Sequence, residues 1–171
     1  MTDEKPTDLL RDEHASVMQK LDALERIVLH PESRPEIIAE LKALAAFFRS
    51  DFWVHFTKEE EALFLEMGRF TLIDRGPLGV MLREHEELRN SNDRLQGAVN
   101  GYLADTGSIE STARMKEHGT HFIWMLRDHI KKEDNMLFAM AEMWLDATQK
   151  LKVTKLFQKI EAEHHALPKQ A

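Results

Sequence analysis

The sequence predicts an all-α protein: an antiparallel up-down-up-down four-helix bundle with an additional C-terminal helix. Three observations predict it. Four long segments carry inward residues at spacings of three and four, the period of one helix face. Glycine and proline are few, seven and five, and mark the breaks between those segments. No stretch shows strand-like alternation, and the connections are short, as antiparallel neighbours require.

Helix one is expected from about Thr7 to His30, ending before Pro31, with Leu10, His14, Val17, Leu21, Leu24 and Val28 inside. Ser33-Arg-Pro-Glu36 has the form of a capping box, a serine and a glutamate three apart that satisfy free amides. It opens helix two, expected to run unbroken to about Met67 and stop at Gly68. The stripe of helix two is Leu41, Leu44, Phe48, Phe52, His55, Glu59 and Ala62. Gly76-Pro77 opens helix three, which ends near Ala104 and buries Leu78, Met81, His85, Leu88, Asn92, Leu95, Val99 and Tyr102. Ser108 caps helix four, which runs past Met140. Its stripe is Met115, His118, Phe122, Met125, His129, Glu133, Met136 and Met140. A more polar fifth helix covers roughly Ala147 to Ala166. The whole reads as one domain over residues 1–171, the bundle being about 7–145 and the last helix about 147–166.

The 171 residues suffice for one domain with a real core, and the absence of cysteine excludes disulfides, thiolate metal sites and a cysteine nucleophile. A net charge of −7 with acids and bases interspersed argues against nucleic acid or an anionic membrane as partner. No segment approaches the ~18 apolar residues of a membrane span, and the N-terminus lacks the pattern of a signal peptide. A soluble cytoplasmic protein is expected.

Two segments read as copies of one another: His55-Phe-Thr-Lys-Glu59-Glu-Glu-Ala-Leu63-Phe64 and His129-Ile-Lys-Lys-Glu133-Asp-Asn-Met-Leu137-Phe138. Residues four apart share a helix face, so each copy aims an imidazole and a carboxylate at one point. Each is preceded by a Glu-His pair, in Leu10-Arg-Asp-Glu-His14 and Leu82-Arg-Glu-His85, at separations of 41 and 44 residues between histidines. At a rise of ~1.5 Å per residue, all four histidines lie roughly 24–30 Å from the same end of the predicted bundle. Charged groups buried at one level need partners. No lysine or arginine occupies a neighbouring stripe position, so metal cations are the fitting counter-charge. Nitrogen and carboxylate ligands without sulfur suit iron or manganese, and zinc also fits.

The other histidines have plainer readings. His118 lies 11 residues from His129, roughly 16 Å along the axis, and reads as a core residue. His121 is off the stripe, His164 and His165 read as solvated surface, and His30 as a helix-end residue near the last carbonyls. Glu60, Glu61 and Asp134 point away from the ligands and read as surface. Glu13 and Glu84, next to ligand histidines, read either as surface or as groups that orient a ligand. The nine methionines and three tryptophans read as core filler, and Tyr102 lies too far from His85 to assist. His85-Glu-Glu-Leu-Arg89 departs from the zinc-protease signature at arginine, and the Glu-x-x-His pair of ferritin-like proteins occurs only at Glu161-Ala-Glu-His164.

With these motifs, over about residues 7–145, the chain resembles the hemerythrin-like, or HHE cation-binding, family. The resemblance implies an oxo- or hydroxo-bridged di-iron centre. His14 and His55 would ligate one side, His85 and His129 the other, and Glu59 and Glu133 would bridge. Oxygen-carrying hemerythrins have a fifth histidine where this chain has Arg89, and their second acid is an aspartate five residues after its histidine. The chain is closer to the bacterial four-histidine, two-glutamate branch, which includes iron-centre repair proteins. The N-terminal cysteine-bearing domain of those proteins has no counterpart here.

The first functional expectation is a di-iron protein that binds or senses dioxygen or nitric oxide at an open position. The alternative is a redox enzyme acting on peroxide, nitric oxide or dioxygen, or a protein of iron-centre repair and the oxidative or nitrosative stress response. A metal-stabilised interaction module or iron store is a third reading. Storage of many ions is disfavoured by the single dense ligand cluster.

Overall fold

The computed structural model describes residues 5–166, and all their regular structure is helical. In chain order the helices are α1 (Pro6–Leu29), α2 (Pro35–Arg49), α3 (Trp53–Lys58), α4 (Phe64–Met67), α5 (Gly76–Ala104), α6 (Ile109–Lys132), α7 (Phe138–Trp144) and α8 (Ala147–Ala166). Wider π-helical turns join α3 to α4 over Glu59–Leu63 and α6 to α7 over Glu133–Leu137.

Partner numbers fall along one helix as they rise along the other, so neighbours run in opposite directions. Along α1 with α6 and α7 the pairs are Arg11–Glu142, His14–Asp134, Glu25–Arg127 and Val28–Gly119. Along α1 with α2 and α3 they are His14–His55 and Arg26–Glu40. Gln96 donates to the Ala45 carbonyl and His85 meets Glu60, which orders α5 against α2 and the first π turn. Gly119 permits the close approach of α6 to α1, since a Cβ there would sit 2.7 Å from Val28 Cγ1.

The inward stripes are buried as the periodicity predicts in α1, α2 and α5. Phe48, Phe52 and Phe122 pack edge to face within one apolar cluster, which continues through Leu21, Leu41, Leu95 and Leu126. A second cluster holds Leu10, Phe64, Met67, Met81 and Phe138, with α8 covering it through Val153 and Phe157. The polar side chains lie between the two clusters: Leu10 and Val17, one turn either side of His14, belong to different ones.

The sequence expectation of one unbroken second helix is corrected by a turn at Ser50–Phe52. Ser50 leaves helical geometry (φ −131°, ψ −68°), its hydroxyl donates back to the Ala46 carbonyl, and the Phe52 amide reaches Phe47. The Ser33–Glu36 capping box does not form. The helix begins at Pro35, whose fixed φ and missing N–H suit a first turn, and Arg34 turns its guanidinium to Glu32. Ser108 caps α6 as expected, accepting from the Ser111 amide at 3.2 Å.

In the last part of the fourth stripe the π turn inserts one residue and shifts the face. Leu137, Phe138 and Ala141 are buried, while Met136 is 55% exposed and Met140 only half-buried. His118 and Met125 are likewise half-buried. Trp124 and Met143 face solvent, so not every tryptophan and methionine fills the core.

Candidate metal centre

His14 comes from α1, His55 from α3, Glu59 from the first π turn, His85 from α5, His129 from α6 and Glu133 from the second π turn. All six are buried. They form two groups, His14–His55–Glu59–Glu133 and Glu59–His85–His129–Glu133, and within each group the candidate ligand atoms lie within 4.8 Å of one another. Both glutamates belong to both groups. Each π turn begins at its glutamate, with the Phe64 and Phe138 amides reaching back five residues to the Glu59 and Glu133 carbonyls. The extra residue lets Leu63-Phe64 and Leu137-Phe138 close the apolar floor beside the carboxylates.

The Nε2 atoms converge. His14 and His55 place theirs 2.9 Å apart, and His85 and His129 place theirs 3.1 Å apart. His14 Nε2 is 3.2 Å from Glu133 and His129 Nε2 is 3.1 Å from it; His55 Nε2 and His85 Nε2 stand 3.3 and 3.4 Å from Glu59.

Every Nδ1 is engaged on the outside. His14 donates to Asp134 at 2.8 Å, His55 to Glu13 at 2.6 Å, His85 to Glu60 at 2.7 Å and His129 to Glu84 at 2.8 Å. A neutral imidazole that donates from Nδ1 presents a lone pair at Nε2, the tautomer that ligates metal. Glu60 and Asp134 are therefore not solvated surface, and Glu13 and Glu84 orient the His55 and His129 rings. Glu61 is exposed as expected. A signal for these four acids was present, since each sits directly beside a candidate ligand, and at matching places in both halves.

Three of the four acids are held in turn. Buried Lys58 pairs with both Glu13 and Glu161 of α8; Arg89 pairs with Glu60 at 2.8 Å, and Lys132 with Glu84 at 2.6 Å. Lys58 thus turns away from Glu59, and among the described residues no lysine or arginine reaches Glu59 or Glu133. His118 and His121 lie outside the cluster. His164 pairs with Asp51 at 3.3 Å rather than standing free, and His30 is exposed, only its amide returning to a carbonyl.

A cation fits this set. All four oxygens of Glu59 and Glu133 are buried without an aligned hydrogen bond, which is costly unless something else neutralises them. In a metal-free pocket, protons take that role. Burial opposes charge on His55, but Glu59 and Glu13 outweigh it and hold its pKa up to about 10. Burial likewise opposes charge on His85 and His129, yet Glu133 and its companions raise them to about 11 and about 9. Against burial, the imidazoles hold Glu133 well below the ordinary carboxylate range. Metal uptake would exchange these protons for cationic charge.

Fold and site together define a helical protein with a buried histidine–carboxylate cluster compatible with a metal centre. The chain belongs to the hemerythrin HHE cation-binding domain family, whose match covers residues 5–141. It is similar to the iron-sulfur cluster repair protein DnrN of Neisseria gonorrhoeae, 30% identical over 131 residues that cover 74% of this chain and 80% of that protein. No solved structure matches the chain. No helix among the described residues is long and apolar enough to cross a membrane.

Proposed function

We propose that this chain is a non-haem di-iron protein of iron-centre repair and the stress response, whose centre accepts a small diatomic such as nitric oxide or dioxygen. His14 and His55 would hold one ion and His85 and His129 the other, with Glu59 and Glu133 available to both. The supporting observation is the sharing of both glutamates between two four-membered ligand groups. Both carboxylates are buried without lysine or arginine, so they need cationic charge from a metal.

Bound iron supplies redox electrons and a coordination position for the small ligand. The chain's own residues do the rest. Glu13, Glu60, Glu84 and Asp134 fix the imidazole tautomers, while Phe56, Phe64 and Phe138 line the histidine rings and exclude water. Manganese or zinc fits the same ligand types. The scaffold in this reading is a single domain, an up-down-up-down four-helix bundle with α8 appended, supported by the opposed helix pairings. A cytoplasmic location, without nucleic-acid or membrane partners, belongs to the same reading and draws on the acidic net charge of −7.

Repair is favoured over simple carriage by the likeness to the Neisseria iron-sulfur cluster repair protein and by Arg89, which pairs with Glu60 outside the ligand cluster. Purified protein is tested for iron per chain and for its visible spectrum from the anaerobic reduced state through nitric oxide and air. Iron-loaded protein is then mixed with an enzyme whose iron–sulfur cluster has been damaged. Recovery of that enzyme beyond an equal dose of free ferrous iron supports repair. A stable reversible oxygen adduct without such recovery supports carriage, and colourless zinc protein ends both readings.

A further inference from the structure

The centre has an approximate two-fold arrangement that exchanges α1 with α5 and α3 with α6. Glu13 and Glu84, each preceding a histidine, accept from His55 and His129. Lys58 and Lys132, each preceding a motif glutamate, hold those two acids. Glu60 and Asp134, each following a motif glutamate, accept from His85 and His14.

The symmetry fails at His14. Arg89, four residues after His85, clamps Glu60 at 2.8 Å, whereas the residue four after His14 is Met18. Asp134 therefore has no lysine or arginine partner among the described residues, and its side chain is 35% exposed. Ring packing differs in the same sense. Phe56 stacks on His85 with centroids 3.7 Å apart and planes 7° apart, and Phe64 lies near it at 5.7 Å. Ile130 stands where a second such phenylalanine would, leaving His14 one stacked phenylalanine, Phe138 at 5.4 Å.

We infer that the two metal positions are unequal, and that the ion held by His14 and His55 exchanges with solvent or a small chelate through the His14–Asp134 corner. The inference rests on the dinuclear reading above. Asp134 is a positioning residue: it orients His14 and, unclamped and partly exposed, lets that imidazole swing from the ion. The His85–His129 side, with both outer acids clamped, retains its ion. One mobile ferrous ion beside one retained ion suits a protein that gives up iron without emptying its site.

The test is release of ferrous iron, anaerobically, from fully loaded protein into excess of a coloured ferrous chelator. Two phases of equal amplitude are expected, with rates about tenfold or more apart, the scale on which groups behind a metal ligand act. Asp134→Ala should quicken the fast phase alone and Asp134→Glu should restore it, while Arg89→Met should quicken the slow phase. Both changed side chains are partly exposed, and melting of the metal-free variants checks the fold. Single-phase release of two ions, or acceleration of the slow phase by Asp134→Ala, overturns the inference. Uptake of fewer than two ions by the unaltered protein instead defeats the dinuclear reading.

Discussion

His14 and His55 bring their Nε2 atoms within 2.9 Å of each other while donating from Nδ1 to Asp134 and Glu13. Two neutral rings so oriented set lone pair against lone pair, an arrangement that repels unless a proton or a cation lies between them. His85 and His129 repeat it at 3.1 Å. The protein thus holds four rings where an electrophile stabilises them, with two carboxylates unsatisfied beside them.

Removal of a shared carboxylate should cost the site metal. Glu133→Ala and Glu59→Ala are each expected to reduce iron from two ions per chain to one or none, since both glutamates belong to both ligand groups. Metal analysis of the purified variants checks this. Two ions retained in either variant would show that its carboxylate does not bridge.

Stability should fall as pH rises from about 6.5 to 8 without metal and hold steady with it. In the metal-free protein the raised histidine pKa values mean that the folded state holds more protons than the unfolded one between about pH 6.5 and the folded values of about 9 to 11. Their contribution is complete below the unfolded value and declines as pH rises through that window. Glu133, held low, contributes above its ordinary value of 4.5 and loses its contribution as pH falls below that. Metal-free protein should therefore melt highest between about pH 5 and 6.5, and lower at pH 8. Iron-loaded protein, whose imidazoles give up those protons on metal uptake, should show no decline from pH 6.5 to 8. Calorimetry of both forms decides it.

Most of the fold was legible because helix periodicity and glycine or proline punctuation are local properties. The stripes through Leu10, Leu41 and Leu88 follow directly from them, and so do the six central side chains, which fall on the four predicted stripes with the His-x-x-x-Glu pair in duplicate. The π turns were not legible. A pattern read at 3.6 residues per turn puts Met136 inside, and only the recurring Leu-Phe four and five residues after Glu59 and Glu133 hints at an inserted residue. The outer acids Glu60 and Asp134 escaped for a different reason. Neither aims at the centre along its own helix, but Nδ1 lies on the ring edge away from Nε2, so such an acid need only stand on the rim of the neighbouring helix. The turn at Ser50 rests on bonds back to Ala46 and Phe47, and a helix that opens at Pro35 leaves Ser33 outside its first turn.

Phe56 should matter to both stability and metal binding. It is fully buried and stacked on His85, so Phe56→Ala is expected to cost about 3–5 kcal/mol and to loosen the retained ion. Denaturant melts and iron retention after gel filtration check the two effects separately.

Ser108→Ala should separate fold from site. The lost cap is expected to cost about 0.5–2 kcal/mol, with iron content unchanged, because α6 begins far along its length from His129. A fall in iron per chain would show that the start of α6 positions the centre.

The most direct measurement is anomalous X-ray scattering at the iron edge from crystals of the iron-loaded protein. Two peaks are predicted, one against His14 and His55 and one against His85 and His129, with Glu59 and Glu133 between them. A single peak, or iron bound outside these six side chains, would contradict the dinuclear assignment.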